Sequence, residues 1–183
     1  MLPAAQNTDK SAIAPEEVKA IVADLKSDFD YILLDCPAGI EQGFANSVAG
    51  ADEAIVVSTP EISAVRDADR VVGLLEQADL DEPPMLIINR IKKRMVNDGT
   101  MMDVDEITHH LSIKLIGIVF DDDEVIGTSN KGEPIVLNEK SPASKGYRNI
   151  ARRLEGQTVP LMTMKESDES GFFGKIASWF QKK

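Results

Sequence analysis

The chain has 183 residues, 43% of them hydrophobic and 28% charged, which is enough for one folded domain with a core and too apolar for a disordered chain. Its formal net charge of −11 excludes nonspecific nucleic-acid binding over the whole surface. One cysteine excludes an internal disulfide, and no apolar run approaches the roughly 20 residues of a spanning helix. No charged-then-apolar leader opens the sequence, so the expected compartment is the cytosol.

In chain order, Ala14-Pro15-Glu16-Glu17 reads as a helix start, with Pro in the first turn and acids at the positive end of the dipole. Val18, Ile21, Val22 and Leu25 continue it at helical spacing. Tyr31-Ile-Leu-Leu34 is then an unbroken apolar run, as expected of a strand buried on both faces of a parallel sheet. It ends in Asp35, and Cys36-Pro37-Ala38-Gly39 turns the chain. A carboxylate at the carboxyl end of such a strand stands on the ligand side of an open α/β sheet. In P-loop nucleotidases an aspartate of this kind helps hold Mg²⁺; the plainer alternative is a strand-end cap for the next helix. Cys36 reads as a small buried residue.

Phe44, Val48 and Ala49 predict a short helix, and Ala54-Ile-Val-Val-Ser58 a second buried strand. Thr59 or Ser63 can cap the helix that follows, whose core face is expected at Ile62, Val65, Val72 and Leu75. Glu61, Ser63, Arg66 and Asp67 gather on its first turns, equally suited to a partner surface or to a solvated helix start. Met85-Leu-Ile-Ile-Asn89 is a third strand; its terminal amide could read a base edge or cap a turn. The cationic stretch from Arg90 to Gly99 reads as a surface loop. A helix from Asp103 to Leu111, a fourth strand at Leu115-Ile-Gly-Ile-Val119, a short helix from Glu124 to Ser129 and a last helix from Ser144 to Leu154 complete the pattern. His109 and His110 have no partner at ligand spacing and read as surface residues.

The fourfold alternation predicts an α/β fold, a largely parallel sheet with flanking helices and right-handed crossovers, over residues 1–156. The polar, acidic stretch 157–170 reads as a linker. Residues 171–183 hold four of the nine aromatic residues, Phe172, Phe173, Trp179 and Phe180. At about 100° per residue these fall with Ile176 on one half of a helix, opposite Lys175 and Lys182. That is the pattern of an amphipathic helix lying on an anionic membrane surface, the alternative being a helix docked on the domain itself. One such tail binds weakly; two on a dimer bind far better.

Asp35-Cys-Pro-Ala-Gly-Ile-Glu41, Thr59-Pro-Glu-Ile-Ser-Ala-Val-Arg-Asp-Ala-Asp-Arg70, Asn130-Lys-Gly-Glu-Pro134 and the tail together resemble the deviant Walker (ParA/MinD) P-loop family, in its membrane-associated, septum-positioning branch. The resemblance implies a P-loop NTPase fold and hydrolysis of ATP with Mg²⁺. Asp35 would be the Walker B aspartate acting on the metal through water, and Pro37, Ala38 and Gly39 part of switch II. It places Asn89, Arg90 and Asp121 on the adenine side. Glu61, Ser63 and Asp67 would lie near the surface used for the homodimer and for the partners MinC and MinE. The branch blocks FtsZ-ring assembly at wrong sites with MinC, is released by MinE, and cycles between cytoplasm and the inner face of the cell membrane, with no nucleic acid.

The sequence contains no G-x-x-x-x-G-K-[ST], the loop that cradles phosphates. By resemblance, two βα units of roughly 30 residues each precede this chain, so it is expected to be inactive in ATP hydrolysis by itself. Two alternatives follow: a non-catalytic membrane- or partner-binding piece, or a ParA-like chromosome-partition ATPase. The acidic balance and the aromatic tail disfavour the latter.

Overall fold

The computed structural model describes residues 13–164. The seven tail residues singled out above, Phe172, Phe173, Lys175, Ile176, Trp179, Phe180 and Lys182, lie outside them. The described chain divides into two compact units: one holds 13–54 and Arg70–Pro84, the other Ile55–Asp69 and 85–164.

The second unit contains the sheet. β1 (Ile55–Ser58), β2 (Met85–Ile91) and β3 (Lys114–Phe120) run parallel in the order β1-β2-β3. Ile55 pairs with Met85 and Ser58 with Ile88, and Leu86 pairs with Leu115. Parallel neighbours need a crossover. Between β1 and β2 it includes α3 (Ile62–Leu75), within which the boundary between the two units falls. Between β2 and β3 it is α4 (Lys93–Asn97) followed by α5 (Val104–Leu111). α5 starts where a reciprocal cap forms: Glu106 N–H donates to Asp103 Oδ1 at 2.8 Å, and Asp103 N–H donates to Glu106 Oε2 at 2.9 Å. α6 (Glu124–Asn130), a 3-10 turn (Ile135–Leu137) and α7 (Pro142–Leu154) follow β3.

β3 is buried continuously from Ile116 to Phe120, and Leu86 and Ile88 of β2 are fully enclosed. One core cluster joins Ile116, Val119, Ile135, Ala143 and Ile150. α7 comes close to β3 at a glycine on each element, Gly146 and Gly117. A Cβ on Gly146 would stand 2.8 Å from the Ile118 carbonyl, and one on Gly117 would stand 2.2 Å from Ile150 Cγ1. The side-chain-free backbones permit the approach.

The first unit packs α1 (Pro15–Leu25) on α2 (Gln42–Ala49), with Val22 buried. Glu17 Oε2 accepts the Ala14 N–H at 2.8 Å, fixing the start of α1. Lys26 Nζ meets Asp52 at 2.6 Å, and the Asp52 carbonyl accepts the Asp81 N–H at 2.8 Å.

Several expectations are corrected. Residues 31–35 are extended but form no strand, and Leu33 is 89% exposed. An apolar run becomes a strand only when a second backbone supplies a ladder, and the sheet of the described residues offers this run none. The sheet therefore has three strands, not four. β1 is buried on one face only: Val56 and Ser58 are inside, whereas Val57 is 59% exposed. Ile62 does not join the core face of α3, which is Val65, Ala68, Val72 and Leu75. Neither Thr59 nor Ser63 caps the helix main chain; the Val65 N–H bonds to the Glu61 carbonyl, and the Thr59 hydroxyl donates to the Glu61 carboxylate. The cationic stretch is not a loop throughout: Arg90 closes β2 with Ile91, and 93–97 form α4. Cys36 is exposed rather than buried, because the segment that carries it is.

Candidate functional site

The three parallel strands end on the same side, where open α/β sheets present ligand-binding residues. β2 ends irregularly: its register with β3 shifts between Ile88 and Ile91, and Arg90 adopts φ +58°. A non-glycine residue in that region carries a backbone cost of about 1–2 kcal/mol. Asn89 supports the bend through its own side chain, its Oδ1 accepting the Arg90 N–H at 2.9 Å.

β3 ends beside it. The Asp121 N–H donates to the Ile91 carbonyl at 3.0 Å, so the two strand ends are tied by main chain. The Asp121 carboxylate stands 3.5 Å from Arg90 Nε and 3.7 Å from Lys92 Nζ. The result is an amide, a guanidinium, an ammonium and a carboxylate on one rim, able to meet a polar ring edge or an anion. Asn89 and Arg90, adjacent in the sequence, are thus brought together with Asp121, 31 residues after Arg90.

Asp122 has a different task. Its Oδ2 accepts the Ser141 hydroxyl at 2.5 Å, and its Oδ1 accepts the Glu124 N–H at 3.0 Å. Ser141 in turn accepts the Ser144 N–H at 3.0 Å as the cap of α7. Sequence reasoning passed over Asp122 and Ser141; the signal was Ser141-Pro142, a capping residue followed by Pro at the first helical position.

Ser63 and Asp67 lie exposed on the first two turns of α3, and Glu61, also exposed, immediately precedes it. Their positions one, three and seven along that stretch put none of them into the core, which Val65 and Ala68 occupy.

Asp35 belongs to the first unit. It is exposed, as are Cys36, Pro37, Ala38 and Gly39. Gly39 has φ +104°, a conformation that the turn requires and that a side chain would strain. Among the described residues no group of three His, Cys, Asp or Glu could hold a metal ion.

Among the described residues no helix is long and apolar enough to cross a membrane.

A family model described as "Cellulose biosynthesis protein BcsQ" matches residues 3–150. The septum site-determining protein MinD of Bacillus subtilis is 58% identical over 180 residues, which are 98% of this chain and 67% of that protein. In a solved MinC:MinD cell division protein complex of Aquifex aeolicus, one chain superposes with a TM-score of 0.78 at 45% identity, covering 82% of this chain and 63% of the other. The cell division ATPase MinD of Pyrococcus furiosus superposes with a TM-score of 0.68 at 25% identity, covering 78% of this chain and 58% of the other. The chain thus spans about two thirds or less of the length of these relatives.

A parallel sheet with flanking helices and a polar rim at its carboxyl end, superposing on these structures, defines an α/β protein of the P-loop NTPase type. The chain belongs to the family of the septum site-determining protein MinD, within the group that the matching family model delineates.

Proposed function

We propose that this chain is the larger part of an ATPase that positions the division septum. The observation that carries the reading is the meeting of Arg90 and Asp121 at 3.5 Å beside Asn89, at the carboxyl ends of β2 and β3. In this reading the Asn89 amide, Arg90 and Asp121 hold the base side of ATP, with the Asp121 charge keeping Arg90 in place. Bound ATP and Mg²⁺ would supply the phosphoanhydride and the charge that polarises it. Asp35 would orient a metal-bound water, and the turn of Pro37, Ala38 and Gly39 would act as a switch whose glycine permits the backbone change. The residues present fit the base side of such a ligand. The phosphate side is unprovided for, since no phosphate-loop motif occurs in these 183 residues. In this reading hydrolysis needs a phosphate loop that these residues do not include.

Residues 1–156 form the nucleotide-binding portion in this scheme, 157–170 a connection, and 171–183 an amphipathic helix that holds the protein reversibly at an anionic membrane from the cytoplasmic side. Glu61, Ser63 and Asp67 serve the ATP-dependent homodimer and its partners. MinC is supported by the Aquifex aeolicus complex, whose MinD chain is 45% identical; MinE rests on the family resemblance alone.

The test is a fusion that restores an upstream segment carrying the phosphate loop. Mg²⁺-dependent ATP hydrolysis should appear, and Asp35→Asn should abolish it. Absence of hydrolysis in the restored protein would overturn the proposal. The missing motif favours one second reading, a membrane- and partner-binding piece without catalysis. Co-sedimentation of the restored protein with anionic vesicles separates the two: pelleting that depends on Mg²⁺-ATP contradicts the second reading, and pelleting indifferent to ATP supports it.

A further inference from the structure

The cations of this chain are unevenly placed. From Lys140 to Arg153 the sequence holds five of the twenty, Lys140, Lys145, Arg148, Arg152 and Arg153, and no acid. All thirty-one acids lie elsewhere, Glu139 and Glu155 bounding the stretch. α7 spans most of it, with Ala143, Gly146, Asn149 and Ile150 buried on its inward side. Arg153 also turns inward, to the carbonyls of Ile116, Val159 and Pro160. At about 100° per residue Lys145, Arg148 and Arg152 fall within roughly 60° of one another, and all three are exposed.

Apolar surface adjoins this stripe. Val136, Leu137, Tyr147 and Ala151 line a groove of about 460 Å³ together with Arg148 and Arg152, and Leu137 is 71% exposed. The way Arg148 is held decides which kind of partner fits. Its Nε and one terminal nitrogen both donate to the Val136 carbonyl, at 3.1 Å and 2.6 Å, and the other terminal nitrogen stands 3.7 Å from Glu139. Arginine recognises a carboxylate through two parallel N–H donors on one edge of the guanidinium. On Arg148 those donors are already committed, so an acidic peptide finds no fork to grip. A layer of anionic headgroups asks only for positive charge close to the surface, and an exposed leucine beside it adds an apolar anchor.

We propose that the outward face of α7, with Leu137 beside it, is where the folded domain rests on an anionic membrane. The proposal rests on the membrane reading given above and adds an orientation to it. A domain whose overall charge of −11 is repelled by such a surface turns this acid-free stretch toward it. Three cations and one leucine bind weakly by themselves; on a protein already tethered, effective concentration makes the contact count.

The test uses the full 183-residue chain and vesicles of phosphatidylcholine and phosphatidylglycerol in equal parts. An environment-sensitive dye is carried on Leu137→Cys, with Cys36→Ser, and in a second protein on Lys19→Cys of α1, again with Cys36→Ser. In vesicle-bound protein the dye at position 137 should brighten and the dye at position 19 should not. Arg152→Glu should lower the partition coefficient at least about fivefold, the usual worth of one cation near an anionic surface. Lys19→Glu makes the same change in net charge and should lower it less than about twofold; salt at about 1 M should erase the difference. Arg152 and Lys19 are both exposed, so the unfolding midpoint serves as the folding control. If Arg152→Glu fails that control, Arg152→Gln removes the charge, keeps a good helix former and should give a smaller fall of the same sign. Bound protein whose dye at 137 stays unchanged, or in which the changes at 152 and 19 act equally, overturns this proposal and leaves the tail reading standing. Brightening with polyglutamate but not with vesicles overturns it in favour of an acidic polypeptide. No binding to vesicles at all overturns it together with the membrane reading.

Discussion

Arg90 Nε stands 3.5 Å from the Asp121 carboxylate, so a residue in a left-handed backbone conformation at the end of β2 is tied to the end of β3. The backbone cost and the ion pair separate by mutation. Arg90→Gly relieves the left-handed strain and loses the pair; Arg90→Ala loses the pair and keeps the strain. Urea unfolding should find Arg90→Gly more stable than Arg90→Ala by about 1 kcal/mol. Asp121→Asn should cost less than about 1 kcal/mol, the usual worth of an exposed pair.

Asp122 supports two helices at once, through the Glu124 N–H of α6 and the Ser141 hydroxyl that caps α7. Removing one cap typically costs about 1 kcal/mol. Ser141→Ala should therefore cost about that much, and Asp122→Ala about 2 kcal/mol because both helix starts lose a partner. The double variant should fall short of the sum, since one bond is shared. Chemical denaturation of the four proteins checks this.

The close approach of α7 to β3 predicts unequal glycine substitutions. Gly146→Ala sets a methyl 2.8 Å from the Ile118 carbonyl, a main-chain atom that cannot rotate away, and should cost roughly 1–3 kcal/mol. Gly117→Ala meets the Ile150 side chain at 2.2 Å instead. Ile150→Ala empties that space, so the Gly117→Ala/Ile150→Ala pair should be less destabilised than the two single effects added, by at least about 0.5 kcal/mol. Additive thermal shifts would contradict the packing described.

Arg153 makes a fourth kind of prediction. Arg153→Ala strands the carbonyls of Ile116, Val159 and Pro160 and should cost about 1–3 kcal/mol, with protease nicking appearing within 157–164. Arg153→Lys keeps the charge and loses the fork, so it should recover less than half of that. Burial lowers the Arg153 pKa from its ordinary value. A folded-state pKa below the unfolded one means that the native protein binds this proton less tightly. The resulting gain in stability arises only as pH climbs toward the guanidinium's own range, so between about pH 5 and pH 9 Arg153 contributes no slope. A pH-dependent difference between wild type and Arg153→Lys in that window would contradict this.

How much was legible depended on whether a signal was local. α1, α5 and α7 were readable from their apolar spacing and start signals, such as Pro15 and Asp103. β2 and β3 were readable as short apolar runs closed by polar residues. Tyr31–Leu34 carried the same signal and failed, because a strand is a relation between two backbones and a sequence displays one. α4 was hidden by composition: Lys93 and Arg94 look like loop residues, yet both are good helix formers. The Gly39 turn was legible since glycine announces positive φ, whereas nothing in Arg90 announces its own. The meeting of Arg90 with Asp121 was anticipated only through family resemblance, because the two are 31 residues apart. Arg153 gave no sign of its role, its three acceptors being carbonyls that every residue possesses.

That last point sets where this protein can vary. A fastening that recognises only main-chain oxygens is blind to the side chains of the residues it fastens. Positions 116, 159 and 160 are therefore free to drift, within their packing, without loosening the strap. The whole requirement falls on position 153, so natural substitution along this edge should be lopsided: one fixed arginine facing three permissive positions.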